Sequence, residues 1–178
     1  MANYSHNQLI ISKTDNKKSE AEFEQFQKDN IIYEEDNLTG KLTFEGLIPM
    51  PKELNITSPQ NEEADIKQAE INLKKYGFKD WYDWRNKYWG TKWNPQTSRI
   101  EKTDDKIIIF YDTAWAPGEG WLNKIAETYL NLEFEFKCSE ESGEFEGDGI
   151  VKNGIWDWKI NRPAKWVEKM EKEEENKK

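Results

Sequence analysis

Cysteine and histidine each occur once in the 178 residues, as Cys138 and His6. A lone cysteine excludes an intramolecular disulfide and fits a reducing compartment. A Ser-His-Asp or Cys-His arrangement would have to recruit His6, which lies far in sequence from Cys138. A zinc-type centre lacks its usual nitrogen and sulfur ligands. The residues therefore predict no metal, no cofactor and no nucleophilic catalytic site. No apolar stretch approaches the about 20 residues that span a bilayer, and the first residues lack the basic flank and apolar run of a signal peptide. The expected location is the cytoplasm, away from membranes. Cations are in deficit: 26 Lys and Arg face 35 Asp and Glu, a formal net charge of -9. That balance argues against indiscriminate attraction to nucleic-acid phosphates.

Aromatic residues are plentiful. Only 35% of the residues are hydrophobic, but these include nine Trp, seven Tyr and eight Phe. A few large rings bury as much apolar surface as many aliphatic side chains, and disordered chains are poor in them. One folded domain with an aromatic core is the expectation for this length.

Leu9-Ile10-Ile11 ends a first strand. Ser19 offers an N-cap to a helix carrying Phe23 and Phe26, with acids in its first turn. Leu42, Phe44 and Leu47 suggest a second strand, followed by Ile48-Pro49-Met50-Pro51 and a loop over 52–61. Ile66, Ala69, Leu73 and Tyr76 fall at helical spacing before Gly77, and Asp80 opens a second helix through Trp89 that Gly90 halts. Residues 107–111 form the strongest strand, paired with residues around Ile100 through a turn near Asp104-Asp105. A helix over 121–130 turns Leu122, Ile125, Ala126 and Tyr129 inward. Leu132, Phe134 and Phe136 alternate with Glu133, Glu135 and Lys137, a strand with one wet face. Asn153-Gly154 marks a hairpin, and a short helix bearing Trp166, Val167 and Met170 follows Pro163. With an inserted helical pair at about 62–93 and the terminal hairpin set aside, a ferredoxin-like βαββαβ antiparallel sheet remains, an α+β fold. The domain spans 1–160, with a charged C-terminal helix or tail over 161–178. The topology carries no iron–sulfur cluster, which usually needs four thiolates.

Several motifs resemble those of the YubB-like, ferredoxin-like domain of plasmid and phage proteins. They are the Met1-Ala2-Asn3 start with Asn7, Leu47-Ile48-Pro49-Met50-Pro51, Trp81-Tyr82-Asp83-Trp84-Arg85, Trp89-Gly90-Thr91-Lys92-Trp93-Asn94 and Thr113-Ala114-Trp115-Ala116-Pro117. The resemblance covers about residues 1–150 and implies a ferredoxin-like sheet and a mobile-element origin; it supplies no activity. Tyr4-Ser5 stands where that pattern has Trp-Cys, Gly118 replaces a second Pro, and the segment past about Trp158 has no counterpart in it.

Candidate binding residues follow from residue type. Trp81, Trp84, Arg85 and Tyr88 share one helix face, either a docking surface rich in hot-spot residue types or a packing face with Arg85 met by a carboxylate. Gly90-Thr91-Lys92-Trp93 lacks the spacing of a phosphate loop, and a tight turn locking Trp89 and Trp93 together fits it better. Trp93 and Trp115 are expected to pack near each other. Asp80, Asp83, Asp104, Asp105 and Asp112 fit caps and strand ends more cheaply than an acid pair or a Mg²⁺ site. Glu140, Glu141, Glu144 and Glu146 concentrate charge around Phe145 in a loop that either docks a basic partner or, the simpler reading, serves only solubility. Two functions remain. One is a non-enzymatic protein-binding accessory factor of a phage or plasmid, including a counter-defence (anti-CRISPR-like) inhibitor, bound through its acidic surface to a basic host or mobile-element protein. The other is a nucleic-acid-binding module that stacks bases on the sheet.

Overall fold

The first strand lies between two others, and the rest of the protein is arranged around it. A computed structural model describes residues 3–33, 40–56, 63–152 and 154–161. β1 (Tyr4–Lys13) pairs antiparallel with β5 (Lys106–Ala114) on one side and with β6 (Leu132–Glu140) on the other. β4 (Gln96–Lys102) extends the sheet beyond β5, and β7 (Glu146–Lys152) and β8 (Ile155–Asn161) extend it beyond β6. The six-stranded order is β4-β5-β1-β6-β7-β8. Its β4-β5-β1-β6 part is the ferredoxin-like core, joined by α1 (Ser19–Asn30) and α4 (Glu119–Thr128). The fold is the α+β ferredoxin-like one that the sequence predicts, and the hairpin at Gly154 (φ 77°) is in place.

The strict alternation over 132–140 is realised residue by residue, with every second side chain from Leu132 to Glu140 buried. Leu9 and Ile11, Ile107 and Ile109, and Phe134 and Phe136 face the helices. α1 contributes Phe23 and Phe26, and the Phe26 ring meets Tyr129 at 5.4 Å and Phe134 at 6.0 Å. α4 contributes Trp121, Leu122, Ile125 and Ala126. Two indole N–H groups carried into this core find acceptors: Trp121 Nε1 donates to Asn30 Oδ1 and Trp89 Nε1 to the Ile48 carbonyl.

The insertion is larger than the helical pair. Between α1 and β4 lie a ribbon of β2 (Ile31–Tyr33) and β3 (Gly40–Leu42), a short 3-10 turn at Lys52–Leu54, α2 (Glu63–Tyr76) and α3 (Trp81–Tyr88). The period-two pattern at Leu42, Phe44 and Leu47 is therefore not a strand of the main sheet. Leu42 closes β3, and the chain then turns so tightly that Ile48 N–H returns to the Phe44 carbonyl at 2.9 Å. The second strand of the ferredoxin-like core is β4 instead. In α2 the buried face is Ala69 and Asn72, and Ile66 and Leu73 are exposed, contrary to the helical-spacing expectation. The Asn72 amide sets that rotation by donating to the carbonyls of Glu53 (2.8 Å) and Lys79 (3.1 Å). Ser19 is the first helical residue rather than the cap, and its hydroxyl accepts from Thr14 N–H. The expected helix with Trp166, Val167 and Met170 lies outside the described residues.

α3 is fixed against α4 where backbone meets backbone. A Cβ on Gly120 would lie 2.2 Å from the Tyr88 carbonyl oxygen, and Trp121 N–H donates to the Trp89 carbonyl at 3.2 Å. Gly120→Ala is therefore expected to cost about 1–3 kcal/mol through forced separation of the two helices. Urea denaturation monitored by tryptophan fluorescence measures it, and an unchanged midpoint would show that the contact is not needed.

Candidate functional site

The Trp89-Gly90-Thr91-Lys92-Trp93-Asn94 segment distributes its side chains among separate tasks. Trp89 is fully buried and meets Phe44 and Trp84 edge-on. Gly90 adopts φ +79° and passes so close to the backbone of Glu119 and Gly120 that only glycine fits. The buried Thr91 hydroxyl donates to the Ala114 carbonyl at 2.8 Å. Asn94 accepts from Phe44 N–H and donates to Thr43 Oγ1, holding the turn that follows β3. Lys92 and Trp93 point elsewhere. The Lys92 ammonium lies 4.5 Å from the Trp93 ring centroid and 3.9 Å from that of Trp115. Trp93 and Trp115 are thus neighbours through a shared cation, while Trp89 and Trp93 face different surroundings. Nothing here forms a phosphate loop, because the Thr91 hydroxyl and the Lys92 ammonium are both engaged by the protein.

Trp115 is 44% exposed and is the one non-glycine among the described residues with positive φ, at 68°. An L-residue there pays about 1–2 kcal/mol of steric strain. Buried polar groups hold the turn in that shape. Asn7 Nδ2 donates to Thr113 Oγ1 (2.9 Å), which donates to the Ala116 carbonyl (2.7 Å). Ser5 Oγ donates to Asn7 Oδ1, and Trp115 N–H donates to the Asn3 carbonyl at 2.9 Å.

The acidic loop sits beside these rings. Glu141 N–H donates to the Tyr4 carbonyl, Tyr4 N–H donates to Glu141 Oε2, and the Tyr4 ring lies 6.2 Å from that of Trp93. β5 and β6 flank β1, so their ends are about 10 Å apart. Lys92, Trp93, Trp115, Glu140, Glu141, Glu144, Phe145 and Glu146, widely separated in sequence, thereby gather at one end of the sheet. Within the loop, two expectations change. Glu140 is buried, and its Oε2 accepts from Ser142 N–H, Ser142 Oγ and Glu144 N–H. Phe145 is half-buried against the core rather than presented to solvent. Burial works to raise the Glu140 pKa, but donors from Ser142, Glu144 and Asn3 hold it below the ordinary value. Its Oε1 has no partner among the described residues.

Arg85 is stacked rather than paired with a carboxylate. Its guanidinium lies 5.1 Å from the Trp81 centroid and 4.9 Å from that of Trp89, with Nε buried and without a hydrogen-bond partner. Burial lowers its pKa, and Glu45 acts in the opposite direction. Asp80 caps α3 by accepting from Tyr82 N–H at 2.9 Å. Asp112 meets His6 at 2.7 Å on the surface. No group of three or more His, Cys, Asp or Glu among the described residues is placed to hold a metal. Burial, with the Glu119 carboxylate adding to it, raises the Cys138 thiol to about 11, so it stays protonated near neutrality.

Sequence reasoning did not find the open face of the sheet. Its residues alternate with the core residues already named. Ile10 pairs with Ile108 and with Glu135, and Glu135 pairs with Ile150. One row on, Phe110, Gln8, Lys137, Asp148 and Lys159 lie side by side. The signal was present in the wet half of each alternating strand, but registering the strands needed the structure.

The family described as the ferredoxin-like domain in Api92-like protein matches residues 88–177, half of the chain. The chain belongs to that family. Its match runs through the C-terminal segment, so the residues past Trp158 do have a counterpart there. The crystal structure of a protein api92 from Yersinia pseudotuberculosis is similar at a TM-score of 0.51, over 92% of this chain and 99% of that one. At 9% identity that likeness concerns the Api92-like fold alone. No curated protein matches.

Trp121→Ala is expected to cost about 3–5 kcal/mol, as for a fully buried ring. Trp115→Ala should cost about 1 kcal/mol or less, because the half-exposed ring gives up little buried area and alanine keeps the Cβ that strains the left-handed turn. Thermal melts of the two variants compare these directly, and equal losses would place the Trp115 ring in the core. Glu140 contributes stability above its unfolded pKa of about 4.3, and that contribution is lost as pH falls through the lower folded value. Glu140→Gln should therefore melt below the wild type at neutral pH, with the gap closing in acid. A gap that persists at a pH of about 2 would show that the carboxylate charge is not its source.

Proposed function

We propose that the chain is a non-enzymatic protein-binding module that docks a basic partner surface on the open face of its sheet. The observation that carries this reading is the composition of that face. Ile108 and Ile10 form an apolar pair, the exposed Ile150 lies beyond Glu135 in the same row, and exposed Glu133, Glu146, Asp148 and Asp157 surround them. Glu133, Glu135, Glu146 and Asp148 enter no ion pair among the described residues. An apolar centre with a charged rim fits a protein interface, and unpaired carboxylates steer a basic partner toward it. A shallow groove of about 630 Å³ runs across the same face past His6, Gln8, Lys137 and Asp148.

A base-stacking platform needs exposed rings in a cationic setting. Here the mid-sheet ring, Phe110, already lies under the Arg99 guanidinium at 4.3 Å, and the chain as a whole carries a net charge of -9. The nucleic-acid reading is therefore the weaker one. The mobile-element origin implied by the YubB-like motifs makes the partner a host or mobile-element protein in the cytoplasm. Inhibition of a host defence nuclease, whose nucleic-acid groove is basic, is the form of activity that suits this charge. No helix among the described residues is long and apolar enough to cross a membrane.

Zero-length carboxyl-to-amine crosslinking in a lysate of the native host, read by mass spectrometry, tests the proposal. Partner lysines should couple to Glu133, Glu135, Glu146 and Asp148, and Ile150→Asp combined with Glu135→Lys should abolish the coupling without lowering solubility. Crosslinks confined to α2 and α3, or tight salt-sensitive binding of single-stranded RNA by the wild type at physiological salt, would overturn it.

A further inference from the structure

The Lys92 ammonium between two indoles shows what the end of the sheet is built to hold. A cation over the face of tryptophan is the strongest of the cation–π pairings, and here Trp93 and Trp115 present faces to the same charge from 4.5 and 3.9 Å. Tyr4 adds a third ring beside Trp93. Packing alone does not account for the arrangement. Trp115 remains 44% exposed, and its φ of 68° is held by the hydrogen bonds of Asn7, Thr113 and Asn3. Strain of this kind is retained where surrounding structure over-determines it, and such positions cluster at binding sites.

The electrostatics point the same way. Glu141 is tied to Tyr4 through both its N–H and its Oε2, and Asn3 joins the Trp115 N–H to Ser142. The acidic turn is therefore about two strand spacings, roughly 10 Å, from the indoles. Glu141 and Glu144 are exposed, and the buried Glu140 adds a carboxylate held in its charged form by low pKa. By the alternation of β1, Tyr4 shares the face of His6 and Gln8, so the rings adjoin the open sheet face described above.

We propose that Trp93, Trp115 and Tyr4 form an aromatic cage for an arginine side chain of the partner protein, with Lys92 as an internal occupant that the guanidinium displaces. This rests on the reading of the chain as a binder of basic proteins and supplies its anchor. Arginine fits better than a second lysine because its planar guanidinium stacks on indole and is more weakly hydrated than an ammonium. Glu141 and Glu144 then lie within reach of a neighbouring cationic residue of the same partner segment.

The test uses the full chain and a tetra-arginine peptide, read by tryptophan fluorescence and by calorimetry, with tetra-glutamate as the opposite-charge control. Wild type should bind tetra-arginine and not tetra-glutamate. Trp115→Leu and Trp93→Leu should each weaken binding by about tenfold, the effect of losing one desolvated cation–π contact. Lys92→Ala, which frees the cage, should tighten binding by about fivefold. Glu141→Gln with Glu144→Gln should flatten its salt dependence. If Trp93→Leu does not fold, the exposed Trp115 carries the test alone. Unaltered affinity in the tryptophan variants, weaker binding by Lys92→Ala, no binding of tetra-arginine, or preference for tetra-glutamate would each overturn the cage. Ile150→Asp with Glu135→Lys separates the two proposals: it should abolish docking of the native partner while leaving the contribution of Trp115 to peptide binding in place.

Discussion

β1 is enclosed along its length by β5 and β6, so its backbone groups are committed to two ladders and its side chains decide what each face of the sheet becomes. Leu9 and Ile11 make the middle of the inner face apolar. Ser5 and Asn7, on that same inner face, are buried too. A buried hydroxyl and amide cost free energy unless each finds a partner. Ser5 Oγ donates to Asn7 Oδ1, and Asn7 Nδ2 donates to the Ser5 carbonyl and to Thr113 Oγ1; Thr113 in turn donates to the Ala116 carbonyl, and Thr91 bonds the Ala114 carbonyl from the insertion. The polar end of one strand thus dictates the shape of the turn that projects Trp115 into solvent. A purely aliphatic β1 would have had no reason to hold that turn.

The aromatic core explains how so few aliphatic residues suffice. Phe44 stacks on Trp121 at 4.7 Å and meets Trp89 and Tyr111 edge-on, joining the insertion, α4 and β5 at one ring. Trp84 and Trp89 extend this layer into α3. Arg85 belongs to the same assembly, because its guanidinium is sandwiched by Trp81 and Trp89 and contributes planar area rather than an ion pair. The aromatic helix accordingly commits Trp84 to packing, while Tyr82 and Tyr88 stay exposed. The insertion and the β5 turn carry two further indoles, Trp93 and Trp115, to the end of the sheet.

The sequence was most readable where one physical preference acted alone. Over 132–140 the sheet face and its period determine everything, and the alternation transfers directly to burial. Asp80 before Trp81 and Gly77 after Tyr76 acted through local backbone geometry, and both are where their chemistry requires. Leu42 to Leu47 misled because a turn held by Asn94 also buries Leu42 and Phe44. Ile66 and Leu73 misled because one buried amide, Asn72, outweighed the helix's apolar spacing. Within the candidate site, the individual residues could be named from composition, but not that Glu140 would be an internal acceptor or that Lys92 would lie between two indoles. Those facts depend on which strands become neighbours, and strands 100 or more residues apart carry no local mark of their register. For the same reason the row of Ile108, Ile10, Glu135 and Ile150 on the open face could not be assembled from β5, β1, β6 and β7 separately.

A sheet face bearing isoleucines that no described residue covers invites self-association unless something opposes it. The carboxylates around those isoleucines supply the opposition, since two copies brought face to face would juxtapose like charges across the apolar centre. The same field attracts any basic surface, and at long range it does so without regard to shape. Selectivity must then come from contacts that operate only at short range. At the end of this face the chain fixes two indoles around a cation, with Tyr4 beside one of them, on a turn whose strained backbone is held by buried hydrogen bonds rather than left to adapt. In the proposed function, charge would gather candidates, and a rigid aromatic site would discriminate among them by the planarity and hydration of the cation each one offers.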